Sequence, residues 1–269
     1  MKKQHITCEI ENKVAILQID NPPANVLSTQ VINELSNTLD SLTERDDTKV
    51  IIITGKGKFF CAGADIKEIA KINSAKEAKE FSHLGQGLIK KMLNLQKPII
   101  AAINNVCLGG GLELAMACHI RIATDNAKLG LPEIALGIIP GFGGTQLLPR
   151  LVGRGKAIEM ILTGEKVLAK DMKEIGLINL LAPADELIKE AKGLATKIAE
   201  KGFIAVSSAL KAIMFASSNL PEARNEYAGS FDRGLELETS LFNKIFETED
   251  WREGVSAFLE KRQPKFKDK

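Results

Sequence analysis

Leu108-Gly109-Gly110-Gly111-Leu112-Glu113-Leu114, Gly130-Leu131-Pro132-Glu133-Ile134 and Pro140-Gly141-Phe142-Gly143-Gly144-Thr145-Gln146 fall within one stretch, residues 104–146. Each is a glycine- or proline-containing turn, and two of them carry a lone glutamate among apolar neighbours. Glycine admits φ > 0 and lets a ligand approach the backbone. A carboxylate in apolar surroundings is costly unless it is paired, neutral or functional. Turns, backbone donors and isolated acids together point to chemistry on an oxygen that becomes an anion.

The flanks read as alternating strands and helices. Residues 6–10 and 14–20 form two strands around a turn at Glu11-Asn12-Lys13. Ser28 can cap a helix whose apolar face is Val31, Leu35, Leu39 and Leu42. Val50-Ile51-Ile52-Ile53-Thr54 and Pro98-Ile99-Ile100-Ala101-Ala102-Ile103 are nearly all apolar, the mark of strands covered on both faces. Phe59 to Lys67 reads as a short strand entering a turn of small residues, and roughly 75–95 as an amphipathic helix. Glu113 to Cys118 begins another helix, and Arg121–Thr124 and Lys128–Gly130 are short strands. This alternation predicts an α/β fold with mostly parallel sheets. Beyond residue 150 helices dominate, at 154–163, 169–175, 184–200, 205–217, 221–247 and 251–262, and only Gly176 to Ala182 reads as extended. The aromatics and leucines there (Phe231, Leu235, Leu241, Phe242, Phe246) favour subunit contacts.

Composition narrows the function classes. The 269 residues carry 36 basic and 34 acidic side chains, a formal charge of +2 that gives no general electrostatic reason to bind nucleic acid. No apolar run is long enough to span a bilayer, and Met1-Lys2-Lys3-Gln4-His5 leads into alternation rather than an apolar signal core. Cys8, Cys61, Cys107 and Cys118 form no CxxC pair and no metal-like spacing with His5, His83 and His119. A reduced, cytoplasmic setting without a metal is the expectation.

Taken singly, each element has a plain alternative. A strand ending in Gly109-Gly110-Gly111 and feeding a helix offers free N–H groups to an anion. It also reads as a turn for tight strand–helix packing. A dinucleotide fingerprint fails because its third glycine position is Leu114, and no GxxxxGK[ST] phosphate loop occurs. Glu113 is equally an acid complementing the helix dipole, and Glu133 a loop acid. Two carboxylates in apolar settings are also a way to divide acid and base roles at neutral pH. Ala62-Gly63-Ala64-Asp65 allows a ligand against the backbone or simply closes a tight turn on Asp65. Gly141 to Gln146 can start a helix with further N–H donors or serve as a loose loop. No GxSxG occurs, and Cys61 has no histidine linked to it by motif, so it reads as structural.

In order, Phe60-Cys61-Ala62-Gly63-Ala64-Asp65-Ile66-Lys67, Leu108 to Ala115, Leu131-Pro132-Glu133-Ile134 and Gly137 to Gln146 resemble the enoyl-CoA hydratase (crotonase) family. Trp251 to Arg262 is similar to that family's closing helix. The resemblance implies a crotonase-like spiral of ββα units over 1–195 and a C-terminal helical trimerisation region over 196–269. It implies a homotrimer or homohexamer, an acyl-CoA thioester as ligand, and no cofactor beyond the coenzyme A of the substrate. The thioester oxygen is expected between the backbone N–H groups of Ala64 and Gly110. Glu113 is expected to activate water for attack at C3, and Glu133 to protonate C2. Ala62, Gly63, Asp65, Ile66 and Lys67 are expected along the CoA, Gly141 at a helix start near the acyl group, and Phe242 and Lys261 over the CoA from the C-terminal region. Members that hydrate carry both glutamates, so the resemblance favours hydration of short- to medium-chain trans-2-enoyl-CoA, of the kind used in fatty-acid β-oxidation. The alternatives are enoyl-CoA isomerisation, hydration of a branched enoyl-CoA, or a non-catalytic acyl-CoA- or RNA-binding protein. His119, where the family commonly has aspartate, Cys61 and Asn105-Val106-Cys107 depart from the pattern, and His119 bears on local charge pairing.

Overall fold

The computed structural model describes residues 4–218 and 224–269, with the side chains of 217–232 left aside. The expected helix start at 221 and the side chain of Phe231 lie outside the described residues. Strands β1 (Ile6–Glu11) and β2 (Val14–Ile19) form an antiparallel hairpin, its turn made by Asn12 and Lys13 at positive φ. Helix α1 (Thr29–Thr43) follows, capped by the Ser28 hydroxyl and burying Val31, Leu35, Leu39 and Leu42 as its periodicity requires.

Two sheets then grow together. Strand β3 (Val50–Gly55) joins the first sheet and β4 (Phe59–Cys61) starts the second, before the short α2 (Ile66–Ile69) and the long α3 (Ala75–Leu93). The unit repeats as β5 (Ile99–Ile103), β6 (Val106–Leu108) and α4 (Gly110–Ala117). It repeats again as β7 (Ile120–Thr124), β8 (Lys128–Gly130), a 3-10 turn (Pro132–Leu136), α5 (Gly144–Val152) and α6 (Arg154–Thr163). Strand β9 (Val167–Leu168) pairs antiparallel with β8; the sequence showed no strand there, because two residues carry no alternation to read. After α7 (Ala169–Lys173), β10 (Leu180–Ala182) ends the first sheet, whose order is β1-β2-β3-β5-β7-β10, parallel from β2 onward. The second sheet runs β4-β6-β8-β9, its first three strands parallel.

Every residue of β3 and β5 is buried, which is why those runs lack polar alternation. One core lies between α1, α3, α4 and one face of the large sheet. The other face is covered by α8 (Leu187–Ala199) through Leu187, Ala191, Ala195 and Ala199. Helices α9 (Phe203–Ser218), α10 (Arg224–Ile245) and α11 (Asp250–Leu259) complete the chain. Among the described residues no helix is long and apolar enough to cross a membrane.

Candidate active site

The C-terminal ends of β4, β6 and β8 are adjacent because those strands are neighbours in the small sheet. Ligand sites in parallel sheets collect at such ends. Here the ends carry Ala62–Asp65, Gly109–Glu113 and Leu131–Glu133 respectively. The first two turns touch: a Cβ on Gly110 would lie 3.2 Å from the Ala64 nitrogen. The bonds that hold these turns use other groups. Leu27 N donates to Gly63 O (2.8 Å), Asp65 N to Leu27 O (3.2 Å) and Gly109 N to Gly130 O (2.9 Å). Gly109, at φ +52, turns the chain from β6 straight into α4, which begins at Gly110, earlier than its apolar pattern suggested.

Glu113 projects from the first turn of α4 and is only 1% exposed. Its Oε1 accepts from Gly144 N (2.6 Å) and Phe142 N (2.9 Å), at the start of α5. Burial pushes its carboxyl up to about 7; the Gly144 amide opposes this, the Glu133 charge adds to it, and the Phe142 amide opposes it. Glu133 is half-buried on the 3-10 turn, with Oε2 buried and unpartnered among the described residues. Burial raises its carboxyl as well. The two acids therefore bear on each other, with Glu133 Oε1 against Gly109 and Glu113 Oε1 against Gly144.

The other expected residues fall around this centre to different degrees. Asp65 caps α2 by accepting from Lys67 N (2.8 Å), Ile66 is 53% exposed, and the Lys67 side chain is at the surface. Gly141 does not start a helix. Gly143 is the cap, at φ +124, and α5 begins at Gly144. The Gly141 carbonyl instead accepts from Ser82 Oγ and Gln86 Nε2 of α3. Phe242 stacks on Phe246 (5.0 Å), and Lys261 closes α11 at φ +54; no bond or ring contact among the described residues joins either to Ala62–Lys67.

His119 accepts from Ile99 N at Nδ1 (2.9 Å), and burial, with Arg121 beside it, lowers its pKa to about 4. It is a neutral side chain. Arg121 is buried and spends its donors on the carbonyls of Leu177 and Cys118, so neutral backbone acceptors, with no carboxylate among the described residues, satisfy the cation beside His119. Cys61, Cys107 and Cys118 are buried, and burial pushes the thiols of Cys61 and Cys118 up to about 12, which removes them as nucleophiles. Among the described residues no group of three or more His, Cys, Asp or Glu is placed to hold a metal.

The family model described as enoyl-CoA hydratase/isomerase matches residues 9–269. The chain belongs to that family. A probable enoyl-CoA hydratase of Bacillus subtilis is 46% identical over 263 residues, covering 97% of this chain and 98% of that protein. A crotonyl-CoA hydratase of Syntrophomonas wolfei is 41% identical over 268 residues, covering 99% of each. The crystal structure of an enoyl-CoA hydratase from Bacillus anthracis superposes with a TM-score of 0.91 at 39% identity, covering 99% of this chain and 100% of that one. The fold of this enoyl-CoA hydratase/isomerase family member is thus the crotonase spiral. The sequence shows backbone donors between Gly141 and Gln146, but not that Glu113 is the acceptor of two of them, Phe142 and Gly144. Nor do Ser82 and Gln86 stand out in the sequence, where they read as the solvent face of an amphipathic helix.

Proposed function

We propose that the protein is an enoyl-CoA hydratase, a hydro-lyase that adds water across the 2,3 double bond of short- to medium-chain trans-2-enoyl-CoA. The observation that carries this reading is the pair Glu113 and Glu133, both with carboxyls raised by burial, the Glu133 charge adding to the rise at Glu113. Two like charges so placed oppose each other's ionisation, which favours dividing acid and base roles between them. The amides on Oε1 favour the ionised form at Glu113. Glu133, whose carboxyl burial raises and whose Oε2 lacks a partner among the described residues, is the acid of the pair.

In the reaction, Glu113 takes a proton from water as the water oxygen bonds to C3. The double-bond electrons move toward the thioester carbonyl, whose oxygen gains charge between the N–H groups of Ala64 and Gly110. Fixed backbone donors aimed at such charge are each worth about 3 kcal/mol. Glu133 then gives its proton to C2, and proton exchange with solvent resets the pair. Ala62, Gly63, Asp65, Ile66 and Lys67 line the coenzyme A, Gly141 adjoins the acyl group, and Phe242 and Lys261 cover the nucleotide. No cofactor is needed beyond the coenzyme A of the substrate. The exposed Phe242, Phe246 and Phe258 support a trimer or a dimer of trimers, and a reduced cytoplasmic setting suits four free thiols.

Hydration of crotonyl-CoA, followed by loss of the conjugated enoyl absorbance, tests the reading. Glu133→Gln is expected to lower kcat by roughly 10²–10⁴-fold. A wild-type protein inactive on every chain length would overturn it.

A further inference from the structure

The peptide unit joining Gly141 to Phe142 is gripped on both sides. Its N–H, on Phe142, donates to Glu113 Oε1 across 2.9 Å. Its carbonyl, on Gly141, accepts from Ser82 Oγ (2.7 Å) and Gln86 Nε2 (3.1 Å). Gln86 Nε2 also donates to Ser82 Oγ (3.0 Å), tying the two donors together. A trans peptide is planar and points its carbonyl and N–H in opposite directions. Holding the carbonyl therefore fixes the aim of the N–H. Hydrogen bonding to the carbonyl also polarises the unit and strengthens its donor.

The segment calls for such a restraint. Pro140-Gly141-Phe142-Gly143-Gly144 holds three glycines, and glycine loses the most freedom on being fixed. The Phe142 ring is seated on the same helix, 5.5 Å from the Phe81 ring. It lies so close to Gly85 that a Cβ there would meet it at 2.1 Å. Phe81, Ser82, Gly85 and Gln86 are one face of α3, and that face contacts the Gly141–Phe142 unit by ring, hydroxyl, backbone and amide.

We propose that Ser82 and Gln86 are positioning residues which, through the Gly141 carbonyl, aim the Phe142 N–H at Glu113. The idea rests on Glu113 acting as the base in the function proposed above. The charged group bearing on Glu113 is Glu133, on the 3-10 turn. From α3 and the start of α5 the loop meets neutral groups, while Glu80 and His83 of α3 are exposed and Cys61 of β4 is a neutral thiol.

The experiment compares the wild-type chain with Ser82→Ala/Gln86→Leu. The protonation of Glu113 is followed by difference infrared spectroscopy, its band assigned by its loss in Glu113→Gln. In parallel, kcat and KM for crotonyl-CoA hydration are measured across pH. Losing the aimed amide removes a group that favours the ionised carboxylate. The Glu113 midpoint and the acid limb of kcat should therefore both move to higher pH. At neutral pH kcat should fall roughly tenfold, the worth of one hydrogen bond to a charged group, with KM within about twofold of wild type. Ser82→Thr, which keeps the hydroxyl, should retain the wild-type midpoint. A folded double variant with an unmoved midpoint overturns the proposal, as does a fall in kcat without a shift, which marks a tether for stability alone. Should the double variant not fold, Gln86→Leu alone must move the midpoint in the same direction, and no shift there overturns the proposal equally. The infrared titration does not depend on turnover. A wild type that hydrates nothing sinks the proposed reaction, while the midpoint still decides the role of Ser82 and Gln86.

Discussion

Gly109 stands against Glu133: a Cβ placed on Gly109 would lie 2.8 Å from Glu133 Oε1. The same residue holds φ +52, a conformation that side-chain-bearing residues adopt at a cost of about 1–3 kcal/mol. Gly109→Ala therefore injures the protein twice, through strain at the β6–α4 turn and by displacing a proposed acid. We expect a lower thermal midpoint together with a loss of kcat that exceeds the loss of folded protein, roughly 100-fold for a displacement of about 1 Å. Equal losses of the two would show that Gly109 matters for the turn only.

Glu113 ties stability to pH. Unfolded, its carboxyl has the ordinary value of 4.5, whereas burial holds it at about 7 in the folded chain. The folded chain thus keeps a proton that the unfolded chain has lost between those values. The associated stability is complete below about 4.5 and is lost as pH rises through about 7. Glu113→Gln stays neutral and escapes that loss. The variant should gain on wild type as pH rises, by at most about 3 kcal/mol above pH 7. Denaturant melts at acid and alkaline pH measure the gap, and a gap independent of pH would mean that the carboxyl is not raised. The same titration predicts that wild-type kcat climbs with pH through a limb near 7, since the base must be ionised.

The sequence made the architecture legible where one side-chain property decides it. Val50–Thr54 and Pro98–Ile103 are strands buried on both faces, and their unbroken apolar runs say so. The face of α1 was readable for the same reason, down to the Ser28 cap. The two glutamates stood out because charge among apolar residues is costly. What could not be read was anything set by pairing between distant segments. Strand β9 has two residues, and its pairing with β8 alone defines it. Ser82 and Gln86 look like solvent-facing residues until the Gly141 loop lies over them. The acceptor of the Gly144 amide sits thirty-one residues away, on another helix.

Thiol reactivity should separate one cysteine from three. Cys8 is exposed on β1, while Cys61, Cys107 and Cys118 are buried. Burial raises all four thiols, to about 12 at Cys61 and Cys118, so thiolate is scarce at the buried positions and reagent access is closed. An aromatic disulfide reagent should release one equivalent per native chain quickly and the other three only on denaturation. Cys8→Ser should remove the fast phase and leave hydration unaltered. More than one fast equivalent would show that the small sheet or the end of α4 opens in solution.

The last residues of the chain are bonded back to its first strands and to the start of α9. Asp268 sits between Lys49 Nζ (2.6 Å), Lys13 Nζ (3.1 Å) and the Phe203 N–H (3.0 Å). Asp250 accepts from the backbone of Lys267 (2.7 Å) and Asp268 (2.9 Å), so the tail is also fixed to α11. Lys49 is buried, with its Nζ shared with the Lys201 carbonyl. Burial works to raise the Asp268 carboxyl, but the bonds from Lys49, Phe203 and Lys13 outweigh it and hold it below its ordinary 3.8. A carboxylate lowered in the folded state lends stability above its unfolded value and loses it as pH falls through the folded one. Asp268→Asn keeps the shape and removes the charge, leaving Lys49 buried without its counter-ion. We expect a loss of about 2 kcal/mol at neutral pH, shrinking toward zero as acid protonates the wild-type carboxyl. Urea melts of both chains across acid pH measure this. An undiminished difference in acid would assign the loss to side-chain packing instead of charge, and a negligible one at neutral pH would show that the tail does not hold α9 and α11 to the core.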